Sequence, residues 1–285
     1  MTLMKHKSLS GICLTALMTL MAAQAHAQDL YMAKYYPKVN EKLFDSCGQI
    51  CPEIDYYFVQ TGEAWLDAII NKDVTAAIAM VDDNQDKTQA KKWQEFTRNA
   101  MPIDSQYTQL LNTAISRLIA ENKTMLAARG KDFDSSIAPV QIMAKPIYLG
   151  HKNDLELFAT EFYQFTGGAH GISTTTYYVF DMRQKKQLSL VDVLLPQQKT
   201  KLEALVKAQF IQYLKTHDIN ANAHFSTWPF SLTDNYTFTR QGMTFLYQPY
   251  EIGFYALGTP QLTVPYSQLN GIVKPQYLKR YDYDK

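Results

Sequence analysis

Two stretches of the chain hold side chains whose types and spacing could do chemistry. The first is Thr166-Gly167-Gly168-Ala169-His170-Gly171. An imidazole is neutral near pH 7 and serves as base, ligand or hydrogen-bond donor, so His170 is the candidate base. A glycine-rich phosphate loop needs a helix N-terminus directly after it. Here the glycines lead instead into Ile172-Ser173-Thr174-Thr175-Thr176-Tyr177-Tyr178-Val179-Phe180, a β-branched and aromatic run, so the helix dipole is missing. His151, His217 and His224 are scattered and none lies at ligand spacing from His170. No metal and no cofactor is therefore expected, and a histidine held in a glycine turn by a backbone hydrogen bond competes with the catalytic reading.

The second stretch is Tyr247-Gln248-Pro249-Tyr250-Glu251-Ile252-Gly253-Phe254-Tyr255-Ala256-Leu257-Gly258. Tyr250, Phe254 and Tyr255 offer a platform for a sugar ring or a protein partner. The same rings could instead fill the core beneath a tight turn, with Glu251 capping backbone amides. The candidate ligand-binding set is thus His170, Tyr250, Glu251, Phe254 and Tyr255, and His170 with Glu251 is the candidate catalytic pair if the protein is an enzyme. Gly-x-Ser-x-Gly and His-Glu-x-x-His are both absent, which removes the signatures of two hydrolase classes. Glu161, Asp181, Asp192, Asp234 and Glu251 are available as paired carboxylates for glycoside cleavage, but no spacing selects a pair.

Both stretches must be placed by strands and turns. Leu155 to Phe165 and Ile172 to Phe180 read as two strands, and the glycine-rich segment between them has the composition of a hairpin turn. Val140, Ile142, Ala144 and Ile147 lie in another strand. Leu188, Leu190, Val191 and Val193 form an apolar stretch ending at Pro196, and an amphipathic helix starts at about Lys199. Trp228 to Phe238, Met243 to Tyr247 and Leu262 to Val264 read as β again. Before residue 130 the pattern is mainly helical. Glu63 to Asn71 predicts a short helix, Trp93 and Phe96 mark a second, and the three- and four-residue spacing from Ile103 to Ile119 predicts a long one ended by Gly130. Asp82 to Lys87 is polar and loop-like. Ile54 to Val59 reads as one strand. The expected fold is α+β, with helices concentrated in the first half and a largely antiparallel β-sheet with one inserted helix in the second.

The N-terminus sets the compartment. Lys5 and Lys7 precede an apolar run from Gly11 to Ala23, and Ala25-His26-Ala27 matches the small-x-small cleavage pattern of a secretory signal. Cleavage is expected after Ala27, and the chain beyond it contains no run long enough to span a bilayer. Cys13 is not expected to carry a lipid, because it opens the apolar run and comes after a bulky Ile12. The signal holds two of the 28 basic residues and none of the 27 acidic ones, so the remaining chain of about 258 residues carries a formal charge of −1. That balance gives no electrostatic case for nucleic acid. In an oxidising compartment the simplest reading of Cys47-Gly48-Gln49-Ile50-Cys51 is a local disulfide; redox motifs usually have two intervening residues rather than three.

The order Phe165 to Gly171, Tyr178-Val179-Phe180-Asp181, Leu188 to Leu194 and Tyr247 to Ile252, then Val264-Pro265-Tyr266 and Leu269, resembles the RsiV-type C-terminal domain. That domain of unknown function is shared by lysozyme-sensing anti-sigma factors and PdaC-type peptidoglycan deacetylases. The resemblance covers roughly residues 135–275, and the sequence before it looks like the partner domain that usually precedes it. It implies an extracytoplasmic α+β module, which in the anti-sigma members binds lysozyme. The chain has neither a sigma-binding segment nor the deacetylase's metal-binding Asp and His motif, and Gly253-Phe254 stands where relatives often have Ala-Pro.

The expected organisation is a signal peptide (1–27), a mostly helical region with the cysteine loop (28–134), an RsiV-like α+β domain (135–275) and a C-terminal tail (276–285). The expected function is a non-enzymatic periplasmic or secreted binding protein of the cell envelope, with lysozyme or a cell-wall glycan as partner. The alternatives are a hydrolase or transferase acting on envelope polymers, and a structural envelope protein.

Overall fold

A computed structural model of the chain describes residues 30, 32–47, 51–79, 105–127 and 139–279. The signal peptide, the Asp82–Lys87 loop, the helix at Trp93 and Phe96, and the last residues of the tail lie outside these. At the centre is a five-stranded sheet in the order β2-β4-β5-β6-β7. Its strands are β2 (Glu53–Tyr56), β4 (Gln141–Lys152), β5 (Leu155–Phe165), β6 (Ile172–Asp181) and β7 (Lys186–Gln187). β4 to β7 are antiparallel neighbours, whereas β2 runs parallel to β4. Parallel neighbours need a crossover, and a crossover lays helices on a sheet face. Here α1 (Ala64–Ala79) and α2 (Ser105–Ala127) lie in that connection.

Alternation along the strands divides the core in two. On one face, Ala144, Phe158, Tyr178 and Phe180 pack with Leu66, Ile70, Val74 and Ile78 of α1 and Leu111, Ile115 and Ile119 of α2. The four α1 residues recur every fourth position, so one stripe is buried along the whole helix. The Tyr178 hydroxyl donates to Asp73 Oδ2 at 2.9 Å, which fixes α1 to the sheet. The side-chain amide of buried Asn71 donates to Val59 O at 2.9 Å and accepts from Val59 N at 2.7 Å, clamping β3 (Phe58–Gln60), which pairs with β1 (Ala33–Tyr35) in a separate two-stranded sheet. Cys47 and Cys51 form a disulfide beside this layer.

On the other face, Leu155, Leu157 and Val179 meet a second layer. That layer consists of α4 (Lys199–Thr216) and the three-stranded sheet of β8 (Tyr236–Phe238), β9 (Gly242–Leu246) and β10 (Gln261–Pro265). Leu202, Val206, Phe210 and Leu214 of α4 are wholly buried in it, each contributing on the order of 2 kcal/mol. The short α3 (Leu190–Val193) leads into α4; Asp192 accepts from Ser189 N at 2.9 Å and Ser189 Oγ at 2.6 Å, and from Lys186 Nζ at 2.6 Å. α6 (Tyr266–Leu269) and α7 (Pro275–Leu278) close the fold, and Tyr277 of α7 lies in the core. Lys152, at the end of β4, is only 1% exposed; its ammonium donates to Lys279 O and lies near the rings of Phe238 and Tyr266.

The α+β organisation matches the sequence pattern, with three local corrections. The single strand expected from Ile54 to Val59 breaks at Tyr57, and its halves join different sheets. The helix expected to stop at Asn71 continues to Ala79, because Val74 and Ile78 extend its buried stripe. The strand expected from Trp228 to Phe238 reduces to β8 and comes after an unforeseen helix, α5 (Ala221–Thr227), started by Asn220 accepting from Ala223 N at 3.0 Å. The apolar stretch around Leu190, to which the sequence pattern assigns no element, is the short α3.

Candidate functional site

The two stretches singled out by their chemistry come together at one end of the molecule. The Thr166–Gly171 segment joins β5 to β6, with Gly167 at φ 98° and Gly168 at φ 103°, a left-handed backbone that glycine adopts without steric cost. Across from it lies the loop between β9 and β10. Buried Ile252 and Leu257 anchor that loop from below: His224 Nε2 donates to Ile252 O at 2.7 Å, and the Tyr213 hydroxyl donates to Leu257 O at 2.9 Å. With those residues turned inward, Tyr250 and Phe254 are left 49% and 44% exposed.

His170 and Tyr255 stack, with ring centroids 3.9 Å apart and planes 18° from parallel. Tyr250 lies next to this pair, 5.7 Å from the Tyr255 ring. One carbonyl ties the two loops: Gly171 O accepts from the Tyr255 hydroxyl at 2.9 Å and faces His170 Nδ1 at 3.1 Å. A carbonyl only accepts, so Nδ1 is the donor in this contact. Gly171 also leaves room for a neighbouring ring. A Cβ there would stand 2.5 Å from the Tyr163 ring. Glu251 turns back on its own loop, accepting from Gln248 N at 2.8 Å through Oε2. Three of the five predicted site residues, His170, Tyr250 and Tyr255, therefore form one partly exposed aromatic cluster; Phe254 is an exposed ring next to Tyr255 in the chain, and Glu251 is an exposed turn-capping carboxylate.

Two residues that the sequence reading passed over hold this arrangement. The Gln248 side chain grips the outer edge of β6 at both backbone groups of Thr175, donating to its O at 2.7 Å and accepting from its N at 3.1 Å. Asn235 does the same one step along, accepting from Tyr177 N at 2.8 Å and donating to Thr175 O at 2.8 Å. Nothing in the local sequence marks these contacts, which bridge 58 to 73 positions. Of the scattered carboxylates, Asp181 caps the turn immediately after it, accepting from Arg183 N, Gln184 N and the Gln184 side chain. Asp192 caps α3. Among the described residues no three His, Cys, Asp or Glu side chains are grouped as a metal would need.

Tyr250 has φ 68°. For a residue with a Cβ the left-handed region costs roughly 1–2 kcal/mol, and a ring this exposed offers little packing to offset it.

Residues 191–267 match a family model described as "Protein of unknown function (DUF3298)". The chain carries a DUF3298 domain. The matched segment runs from α3 to α6 and contains α4, the three-stranded sheet and the Tyr250 loop, but not the hairpin that bears His170. A DUF3298 family protein from Pseudomonas aeruginosa PAO1 superposes with a TM-score of 0.55 at 23% identity, covering 87% of this chain and 94% of that one. A DUF3298 family member from Bacteroides fragilis NCTC 9343 gives 0.56 at 17% identity, covering 87% and 95%. These likenesses are of fold, and they extend well beyond the DUF3298 segment. No curated protein matches the chain.

Proposed function

We propose that this DUF3298 protein is a non-enzymatic binding protein of the bacterial cell envelope, exported by the leader that ends at Ala27. Its recognition surface is the rim formed by His170, Tyr250, Phe254 and Tyr255. The observation that carries this reading is Tyr250, an exposed ring on a left-handed backbone beside a stacked His–Tyr pair. Strained, exposed aromatics that do not serve packing gather at recognition sites. The resemblance to RsiV-type domains supports lysozyme or cell-wall glycan as the partner, and the Cys47–Cys51 disulfide suits an oxidising compartment. The catalytic pairing of His170 with Glu251 is less favoured, because Glu251 Oε2 already accepts from Gln248 N and His170 Nδ1 already faces Gly171 O.

The test is retention of the protein lacking residues 1–27 on immobilised lysozyme and on insoluble peptidoglycan. We expect retention on one of them, lost at least tenfold in a Tyr250→Ala, Tyr255→Ala double variant. Flow-through from both matrices would sink the reading, and undiminished retention of the double variant would move the surface elsewhere.

A further inference from the structure

The second layer covers only part of its sheet face. Cross-strand register places Lys145, Glu161 and Thr175 in one row, with Met143, Tyr163 and Ser173 in the next and Ile147, Ala159 and Tyr177 in the row behind. Side chains alternate along a strand, so all nine project from the face that carries Leu155, Leu157 and Val179. Ala159 is buried, but Glu161 and Ser173 are exposed and Lys145, Tyr163, Thr175 and Tyr177 are half-buried. Coverage therefore stops at Ala159 and half the face is open. Burial first, and then the Glu161 carboxylate, push the Tyr177 phenol above its ordinary range, in keeping with the two groups standing close on this surface.

The open face joins the aromatic rim without a break, since the Tyr163 ring lies against Gly171, whose carbonyl holds Tyr255. At its far side the Lys145 ammonium pairs with Asp55 and stands opposite Glu161. One ammonium set against two carboxylates leaves this face slightly negative, which disfavours a polyanion such as nucleic acid or an acidic lipid surface. A peptide added as an extra strand is disfavoured too. Gln248 and Asn235 already occupy the outer backbone groups of Thr175 and Tyr177, leaving Ser173 alone on that stretch of edge, whereas strand addition needs a series of main-chain bonds. The surface left over has two phenol rings, Tyr163 and Tyr177, on either side of the row that carries Lys145, Glu161 and Thr175. Rings of this kind take the apolar face of a sugar while neighbouring polar groups take its hydroxyls.

We infer that the open half of the sheet face is a binding track for an uncharged, hydroxyl-rich oligosaccharide chain, with sugar rings on Tyr163 and Tyr177 and hydroxyls on Glu161, and with the rim at its end. This deepens the envelope-binding reading and rests on it. Rows on one face are about 7 Å apart along the strands, so a chain of several rings fills the track and a short one does not.

The experiment titrates the protein lacking residues 1–27 with β-1,4-linked N-acetylglucosamine oligomers, a dimer and a hexamer, beside the lysozyme and peptidoglycan retention assay. The hexamer is expected to bind at least tenfold more tightly than the dimer. Glu161→Ala and Tyr163→Leu are each expected to weaken the hexamer at least fivefold; should Tyr163→Leu fail to fold, Glu161→Ala at its exposed position keeps the test open. If the hexamer binds both variants as it binds the parent but loses affinity to Tyr250→Ala, the track is overturned and the rim stands. If no oligomer binds while lysozyme or peptidoglycan retains the protein, the ligand class is overturned and the envelope reading stands. No binding in either assay removes both.

Discussion

The central sheet is built from one set of strands, yet its two faces lead different lives. The face of Phe158, Tyr178 and Phe180 is sealed by α1 and α2 with side chains that are almost wholly apolar. The opposite face is sealed by α4 and β8–β10 only as far as Ala159, and beyond that the same strands carry Glu161, Tyr163, Ser173 and Thr175. Strands β5 and β6 thus change character at mid-length, apolar on both sides at one end and one-sided at the other. Burial on both faces holds the sheet together, and the one-sided end is free to be shaped for contact.

The contrast can be broken most directly by truncating a side chain on each face. Phe158→Ala should cost about 3–5 kcal/mol of unfolding free energy, since a fully buried ring leaves a cavity between two packed layers. Glu161→Gln on the open face should change it by less than about 0.5 kcal/mol. Chemical denaturation of the two variants checks both, and similar losses would mean that the open face is part of the core. Next in size, Gln248→Ala should cost about 1–2 kcal/mol, because it takes the partner from Thr175 N and leaves Thr175 O with Asn235 alone. Faster hydrogen exchange at Thr175 and around Tyr250, with α1 unchanged, is the signature to look for.

The smallest effect concerns the edge where α3 begins. The Lys186 ammonium, and then the Ser189 hydroxyl, hold the Asp192 carboxyl down to about 2. A carboxyl depressed on folding contributes stability that is fully present above its ordinary pKa of about 4 and fades as pH falls toward 2. Asp192→Asn should therefore lower stability by about 1 kcal/mol at neutral pH, modestly because the pair is partly solvated. The gap should close between roughly pH 4 and pH 2; a gap that persists in acid would show that packing, not charge, is lost.

Much of this layout is legible in the residue types alone. β5 begins and ends where its residue types change, and β6 runs one residue past the expected Phe180. The hairpin between them is dictated by its glycines. A reading that stops at Asn71 cuts the first helix short, because it leaves out Val74 and Ile78, which continue the Leu66-Ile70 spacing at period four. The region from Ala221 to Phe238 misleads for a different reason: aromatic residues favour strands only when neighbours complete a sheet, and here an Asn220 cap starts a helix first. The site residues can be named from their chemistry, but their union cannot. His170 and Tyr255 meet 85 positions apart, and Gln248 and Asn235 act on β6 through side-chain amides whose partners are backbone groups, which leave no trace in residue type. The open face is invisible for a related reason. Alternation predicts two faces for every strand, but which stretch of a face goes uncovered depends on where the second layer ends.

The topology also decides how the molecule can be divided. Because β2 is laid against β4 in parallel, the helical crossover is sewn into the sheet rather than appended to it. A fragment starting at residue 139 would expose Phe158, Tyr178 and Phe180 to water and bare the flank of β4, so it is expected to self-associate rather than fold alone. The boundary of a recognisable family segment is then a boundary of sequence similarity, and the smallest piece able to stand by itself is considerably larger.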